Sequence, residues 1–235
     1  MFNTGAWATV GASGLLAPLV DVMAAVPAEL TQGRSIYSFE GDASVDGLSV
    51  TKANMTSLKI NVDSTVRTGA GSLIVFAVGK DAHYLRENSD LTLEGSGEEE
   101  TGLLLGTGKL LSVFAKRQPT AKMYQLRTPS AVIRVRGTGL YAEAEPNQER
   151  SYICTCYGDV NIASTSDPDG SKDVLATHHD EPLYVYANKE AGGYIQAAPF
   201  KNHTDEELQL IETIVGRNTP YSSVMEAYPR PRIGY

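Results

Sequence analysis

The chain has 235 residues, enough for one large domain with a self-sufficient core, and carries 28 acidic against 20 basic residues, a formal net charge of −8. With no Lys/Arg-rich run, it lacks the basic stripe that nucleic acid or an anionic membrane requires, and the acidic surplus reads as solubility. Twenty-two glycines set between short β-branched runs point to strands joined by tight turns rather than to a helical bundle.

Residues 1–25 differ in composition from the rest, with Asp21 as their one charged side chain. Gly5 to Val20 reads as a weakly apolar h-region, and Val22-Met23-Ala24 supplies compact residues for a signal peptidase, although no positive n-region precedes them. The expectation is export to the periplasm with cleavage near Ala25. Pro18, Asp21 and the interspersed glycines argue against a stable transmembrane span.

From Ser35 the pattern changes to short alternating segments. Ser35 to Glu40 predicts a strand, Ala43 to Leu48 a hairpin around Asp46-Gly47, and Leu58 to Val62 a further strand. Leu73 to Val78 is apolar on both faces and belongs in the interior. His83, with Asp81 and Glu87 nearby in sequence, reads as a surface residue, and Glu98 to Glu100 as a solvated loop tip. Leucine-rich runs then lead through Leu103–Leu105 and Leu110–Phe114 to Tyr124–Arg127.

The next stretch, Thr128 to Thr138, is the most distinctive in the chain. Pro129 suits a strand entrance because it fixes its own φ and removes a donor. Alternation then places Val132, Arg134 and Arg136 on one face and the wholly apolar Ala131, Ile133 and Val135 on the other. Gly137 permits a backbone conformation closed to other residues, and Thr138 can bond a neighbouring turn. Arg134, Arg136 and Thr138 are therefore candidate binding residues for an anion or a partner's carboxylate; the alternative is that the arginines brace adjacent strands.

These residues carry a family resemblance. Thr128-Pro129-Ser130-Ala131-Val132, then Val135-Arg136-Gly137-Thr138, Leu140-Tyr141-Ala142-Glu143 and Tyr157-Gly158-Asp159-Val160-Asn161-Ile162 resemble a FecR-type domain, the periplasmic module of the iron-dicitrate sensor family. Gly41, Val45-Asp46-Gly47 and Thr68 to Ser72 fit the same pattern. The resemblance implies a solenoid-like β domain in envelope signalling, here without an anti-sigma domain ahead of the signal-like segment.

Cys154-Thr155-Cys156 supplies the other pointed chemistry. Strand alternation sets both cysteines on one face with α-carbons about 6.6 Å apart, at the upper limit for a disulfide. Two such thiolates can chelate Zn(II) or Cu(I), with His178 and His179 completing a Cys2His2 set. Adjacent histidines on a strand would point apart, however. The other readings are buried free thiols with exposed histidines, or a strained, redox-active disulfide.

Ser164 to Asp173 reads as a Ser/Asp/Gly/Pro loop and Leu183 to Ala187 as a strand. The chain's one clear helix follows. Thr204 and Glu207 form a capping box, Leu208, Ile211 and Val215 an apolar stripe, and Gly216 a stop. His203 is a possible further ligand or a local cap residue. The Pro- and Tyr-containing tail, 218–235, reads as extended.

The sequence thus predicts an all-β, solenoid-like or sandwich-like domain with a C-terminal helix. Its parts are an export segment (1–25), a FecR-like domain (35–163), a β extension (164–200), and the helix and tail (201–235). No Gly-x-Ser-x-Gly elbow or phosphate-binding loop is present, so the expectation is a non-enzymatic module binding a periplasmic or membrane protein or a small ligand. The competing classes are a metal or redox protein built on the Cys and His pairs, and a carbohydrate-active hydrolase.

Overall fold

The computed structural model describes residues 35–96, 99–117 and 123–221. The proposed export segment and most of the Pro/Tyr tail lie outside them. Among the described residues no helix is long and apolar enough to cross a membrane.

Fourteen strands form one continuous sheet: β1 (Ile36–Glu40), β2 (Ala43–Val45), β3 (Leu48–Ser49), β4 (Thr65–Thr68), β5 (Leu73–Val78), β6 (Asp81–Leu85), β7 (Asp90–Ser96), β8 (Glu99–Val113), β9 (Tyr124–Arg127), β10 (Ala131–Glu145), β11 (Arg150–Ser164), β12 (Asp167–Ala176), β13 (Leu183–Glu190) and β14 (Gly193–Ala197). Among the described residues one α-helix, α1 (Asp205–Ile214), follows them. All described pairings are antiparallel except that of β8 with β9, which favours a sandwich over a solenoid of parallel turns.

The three 15-residue strands β8, β10 and β11 each change partners part-way. The first half of β10 pairs with β9 and the second half with β8. β8 passes from β7 to β6, and β11 from β13 to β12. The sheet therefore folds into two layers sharing these strands. One apolar cluster, including Val66, Leu103, Ile133, Leu85 and Leu183, fills the space between them.

Each long strand carries a positive-φ glycine where it changes layer: Gly108, Gly137 and Gly158. At Gly137 the requirement is also steric, since φ is +112° and a Cβ would lie 2.7 Å from Lys116 Cα. The Thr128–Thr138 motif is thus a strand entrance followed by a corner. Ala131, Ile133 and Val135 point into the core, as alternation requires, and Arg134 and Arg136 point outward.

A second apolar cluster lies on the outer face of β5, β6, β8, β10 and β11, where α1 covers it. Leu208, Leu210, Ile211 and Ile214 pack there against Tyr84, Leu111, Tyr141, Tyr152 and both cysteines. Thr204 Oγ1 accepts from the Glu207 N–H while Glu207 accepts from the Thr204 N–H, completing the capping box. A ten-residue helix is marginal by itself, so docking on this face is what stabilises it.

Several local expectations are corrected. Leu58 to Val62 forms no strand; turns held by Asn54 and Ser64 occupy that region instead. Ser164 to Asp173, read as loop, instead holds the end of β11 and most of strand β12 (Asp167–Ala176). β12 is an edge strand paired with β11, so Pro168 and Gly170 are tolerated in it. Glu99 and Glu100 belong to β8 rather than to a loop tip. His83 is fully buried, because every residue of β6 is covered.

Candidate cysteine and histidine centre

Four side chains from three chain segments converge beneath the start of α1: Cys154, Cys156, His179 and His203. Their potential ligand atoms all lie within 4.8 Å of one another, and all four residues are buried. The two cysteines are not joined by a disulfide. They face the same cluster, as i and i+2 positions on a strand should, but the ladder to β10 slips by one residue opposite Gly139 and Leu140. That irregularity re-aims the side chains locally.

The histidine pair parts company. His179 has φ +55° in the turn between β12 and β13, and its N–H donates to the Cys156 carbonyl at 2.9 Å. This turns its ring inward, placing Nδ1 3.5 Å from Cys154 Sγ. His178 points the other way, toward Asp205, and does not join the cysteines. Its expected place in the set is taken by His203, whose Nε2 lies 3.1 Å from His179 Nδ1.

The opposite ring nitrogens are fixed by acceptors. His179 Nε2 donates to Asp205 Oδ1 at 3.0 Å, and His203 Nδ1 donates to the Lys201 carbonyl at 2.8 Å. A carboxylate and a carbonyl can only accept, so each outer nitrogen carries a proton, and each inner nitrogen can offer a lone pair once any proton on it has left. Aromatic packing holds the rings: His203 stacks on Tyr141 with centroids 4.3 Å apart, and Phe200 lies against both histidines. Lys201 is tied to Glu143 and Glu145, and Asn202 to Glu143, which anchors the segment carrying His203.

The charges are divided unevenly. Burial opposes ionisation of Cys154, yet hydrogen bonds from Cys156, His179 and His203 hold its thiol well below the usual range. Cys156 is pushed well above it, first by burial and then by Cys154. Burial also works against charge on His179, but Asp205 and Cys154 raise it to about 9. Asp205, despite its own burial, is held at about 2 by His179 and His178. Without an ion the centre resembles a thiolate facing an imidazolium. Cys154 has no exposed surface, so it cannot act there as a nucleophile toward a substrate.

Two of the ligand-to-ligand distances are close to those around a tetrahedral ion. Metal–sulfur bonds of about 2.3 Å and metal–nitrogen bonds of about 2.0–2.1 Å set sulfur and nitrogen about 3.6 Å apart and two nitrogens about 3.3 Å apart. The observed 3.5 Å and 3.1 Å fall close to these. A buried two-sulfur, two-nitrogen set suits Zn(II) or Cu(I).

No family model matches the chain, and no curated protein matches it. It is similar to two crystal structures, each of a candidate anti-sigma factor from Parabacteroides distasonis ATCC 8503. These share 14% and 15% sequence identity with it, at TM-scores of 0.46 and 0.45. Each match covers 57% of this chain and 58% of the other, so it spans less than two thirds of that protein.

The remaining candidate residues sit elsewhere. Arg134 donates to Asn161 Oδ1 at 2.9 Å and Arg136 to Asp159 Oδ2 at 3.0 Å, both across to β11. Thr138 Oγ1 donates to the Tyr157 carbonyl at the corner. A polar groove lined in part by Glu87, Glu143 and Glu145 bears on the hydrolase reading. There Glu143 is engaged by Tyr141, Lys201 and Asn202, Glu145 by Arg150 and Lys201, and Glu87 by Lys109. Lys201 Nζ bridges Glu143 and Glu145, at 2.7 and 2.8 Å, so both carboxylates are held in an ion-pair network.

Asp205 is the functional residue that the sequence concealed. At the first position of an acidic helix start it is explained by the helix dipole alone, and nothing local shows that it reaches a histidine 26 residues away.

Proposed function

We propose that the chain is a non-enzymatic β module that holds one Zn(II) or Cu(I) ion through Cys154, Cys156, His179 and His203. The observation that carries this reading is the direction of the two imidazoles. Each aims its inner nitrogen at the thiols, where it can ligate once deprotonated, while its other nitrogen is bound to an acceptor, the arrangement that prepares a histidine to ligate. The ion fills a closed site with four protein ligands and no open position, which suits structural or regulatory binding rather than Lewis-acid catalysis.

The FecR-type pattern around Thr128–Thr138 supports placing the module in envelope signalling or assembly, and the signal-like segment supports export. Arg134 and Arg136 then serve to brace β10 against β11.

Elemental analysis of protein purified without an affinity tag tests the metal reading. One zinc or copper per chain is expected, lost in a Cys154→Ser/Cys156→Ser variant. Folded wild-type protein that stays metal-free after growth with added zinc and copper overturns it.

A further inference from the structure

The buried centre poses a problem of access. Cys154 and Cys156 have no exposed surface, and His203 and His179 are 3% and 7% exposed, so an ion cannot reach the four ligands directly from solvent. On the outer side of His179 stands a second group with ligand chemistry: His178, Asp205 and the Nε2 of His179 itself. His178 Nε2 lies 2.9 Å and 3.1 Å from the two Asp205 oxygens. The side chains of His178 and Asp205 are 22% and 15% exposed, so this group reaches the surface. His179 belongs to both sets, with Nδ1 toward the thiols and Nε2 toward Asp205.

We propose that His178, His179 and Asp205 form an acquisition site for the same metal ion, from which it passes through His179 to the buried centre. This rests on the metal-binding reading above. A carboxylate beside two imidazoles attracts a metal cation and replaces part of its water shell with oxygen and nitrogen donors. In the outer position His178 and His179 ligate through Nε2, the protons held there leaving to solvent as the ion binds, and His179 keeps one proton on Nδ1, directed at Cys154.

Passage inward exchanges the tautomer. Nδ1 gives up its proton and becomes the ligand, Nε2 regains one and donates to Asp205, and the ring stays neutral overall. Any protons still on the Cys154 and Cys156 sulfurs leave to solvent as the thiolates bind. The two positions are filled in turn, because an inner ion needs Asp205 to accept from Nε2 while an outer ion needs Nε2 itself.

The test is stopped-flow loading of metal-free, reduced full-length protein with Co(II), whose thiolate charge-transfer band reports arrival at the cysteines. His178→Gln keeps a donor for Asp205 but removes an imidazole ligand. The loading rate should fall at least about tenfold, the scale on which local charge and donors alter on-rates, with the final band and one-to-one stoichiometry unchanged. An unchanged rate with a normal end-point overturns the acquisition site and leaves the buried centre standing. A lost end-point would make His178 a ligand of the buried ion and overturns it equally. Absence of any band in the wild-type protein removes both readings.

Discussion

His179 is held between two unlike neighbours, with Nε2 3.0 Å from Asp205 Oδ1 and Nδ1 3.5 Å from Cys154 Sγ. One ring thereby couples the first residue of α1 to the middle of β11, and the first prediction follows from it. Asp205→Asn keeps an acceptor oxygen but lowers the basicity of the ring it holds. Metal affinity should fall about 10- to 100-fold with stoichiometry retained, measured by competition against a chromophoric chelator.

Metal removal should loosen α1 before the sheet. His203 and Asp205 flank the helix cap, so an ion bound to the folded form stabilises it by about 2.7 kcal/mol at a free concentration a hundred times the dissociation constant. Hydrogen exchange with and without chelator should show faster exchange at 207–214 on removal, while amides of β10 and β11 stay protected. Equal exchange in both samples would show that the ion does not bear on helix docking.

Thr204→Ala removes the side-chain acceptor of the capping box while leaving every ligand in place. A loss of about 1 kcal/mol is expected in urea unfolding of the metal-free protein.

His83 gives a pH dependence separate from the metal centre. Burial, opposed by Asp81 and reinforced by Arg117, lowers it to about 4, so it is neutral in the folded protein. Unfolded, it takes up a proton near pH 6.5, and the unfolded state binds more protons between these values. Stability is therefore highest above pH 6.5 and declines as pH falls toward 4, by about 3 kcal/mol from this group. His83→Gln, which can still bond Ser112, should flatten that part of the profile in chelator-treated protein.

Gly137→Ala should destabilise the domain by roughly 2 kcal/mol or more, because it combines a positive φ with a backbone clash at Lys116. A thermal melt unchanged from wild type would mean that the β10 corner relaxes without cost.

The features legible in the sequence were those set by short-range periodicity. Alternation placed Ile133 and Val135 in the core, Asp46-Gly47 gave the β2–β3 hairpin, and Thr204 with Glu207 gave the helix start. The shared face of Cys154 and Cys156 was equally local. His83 was misplaced because acidic neighbours in sequence say nothing about how many layers cover a strand. The centre itself depends on a left-handed residue, His179, and on a helix returning over β11. Neither leaves a periodic trace, so His178 stood in the sequence reading where His203 stands in the fold.

The corner glycines, the turn at His179 and the docked helix have a joint consequence for the order of events during synthesis. Among the four proposed ligands His203 is the last to be made, about 50 residues after Cys154, and a clip closing a loop of that length would restrict the unfolded chain substantially. A ribosome-bound chain ending before residue 203 has at most three of the four donors and no cover over them. Tight retention of the ion would therefore mark a chain whose sheet and lid are both complete, a checkpoint on assembly written in coordination chemistry.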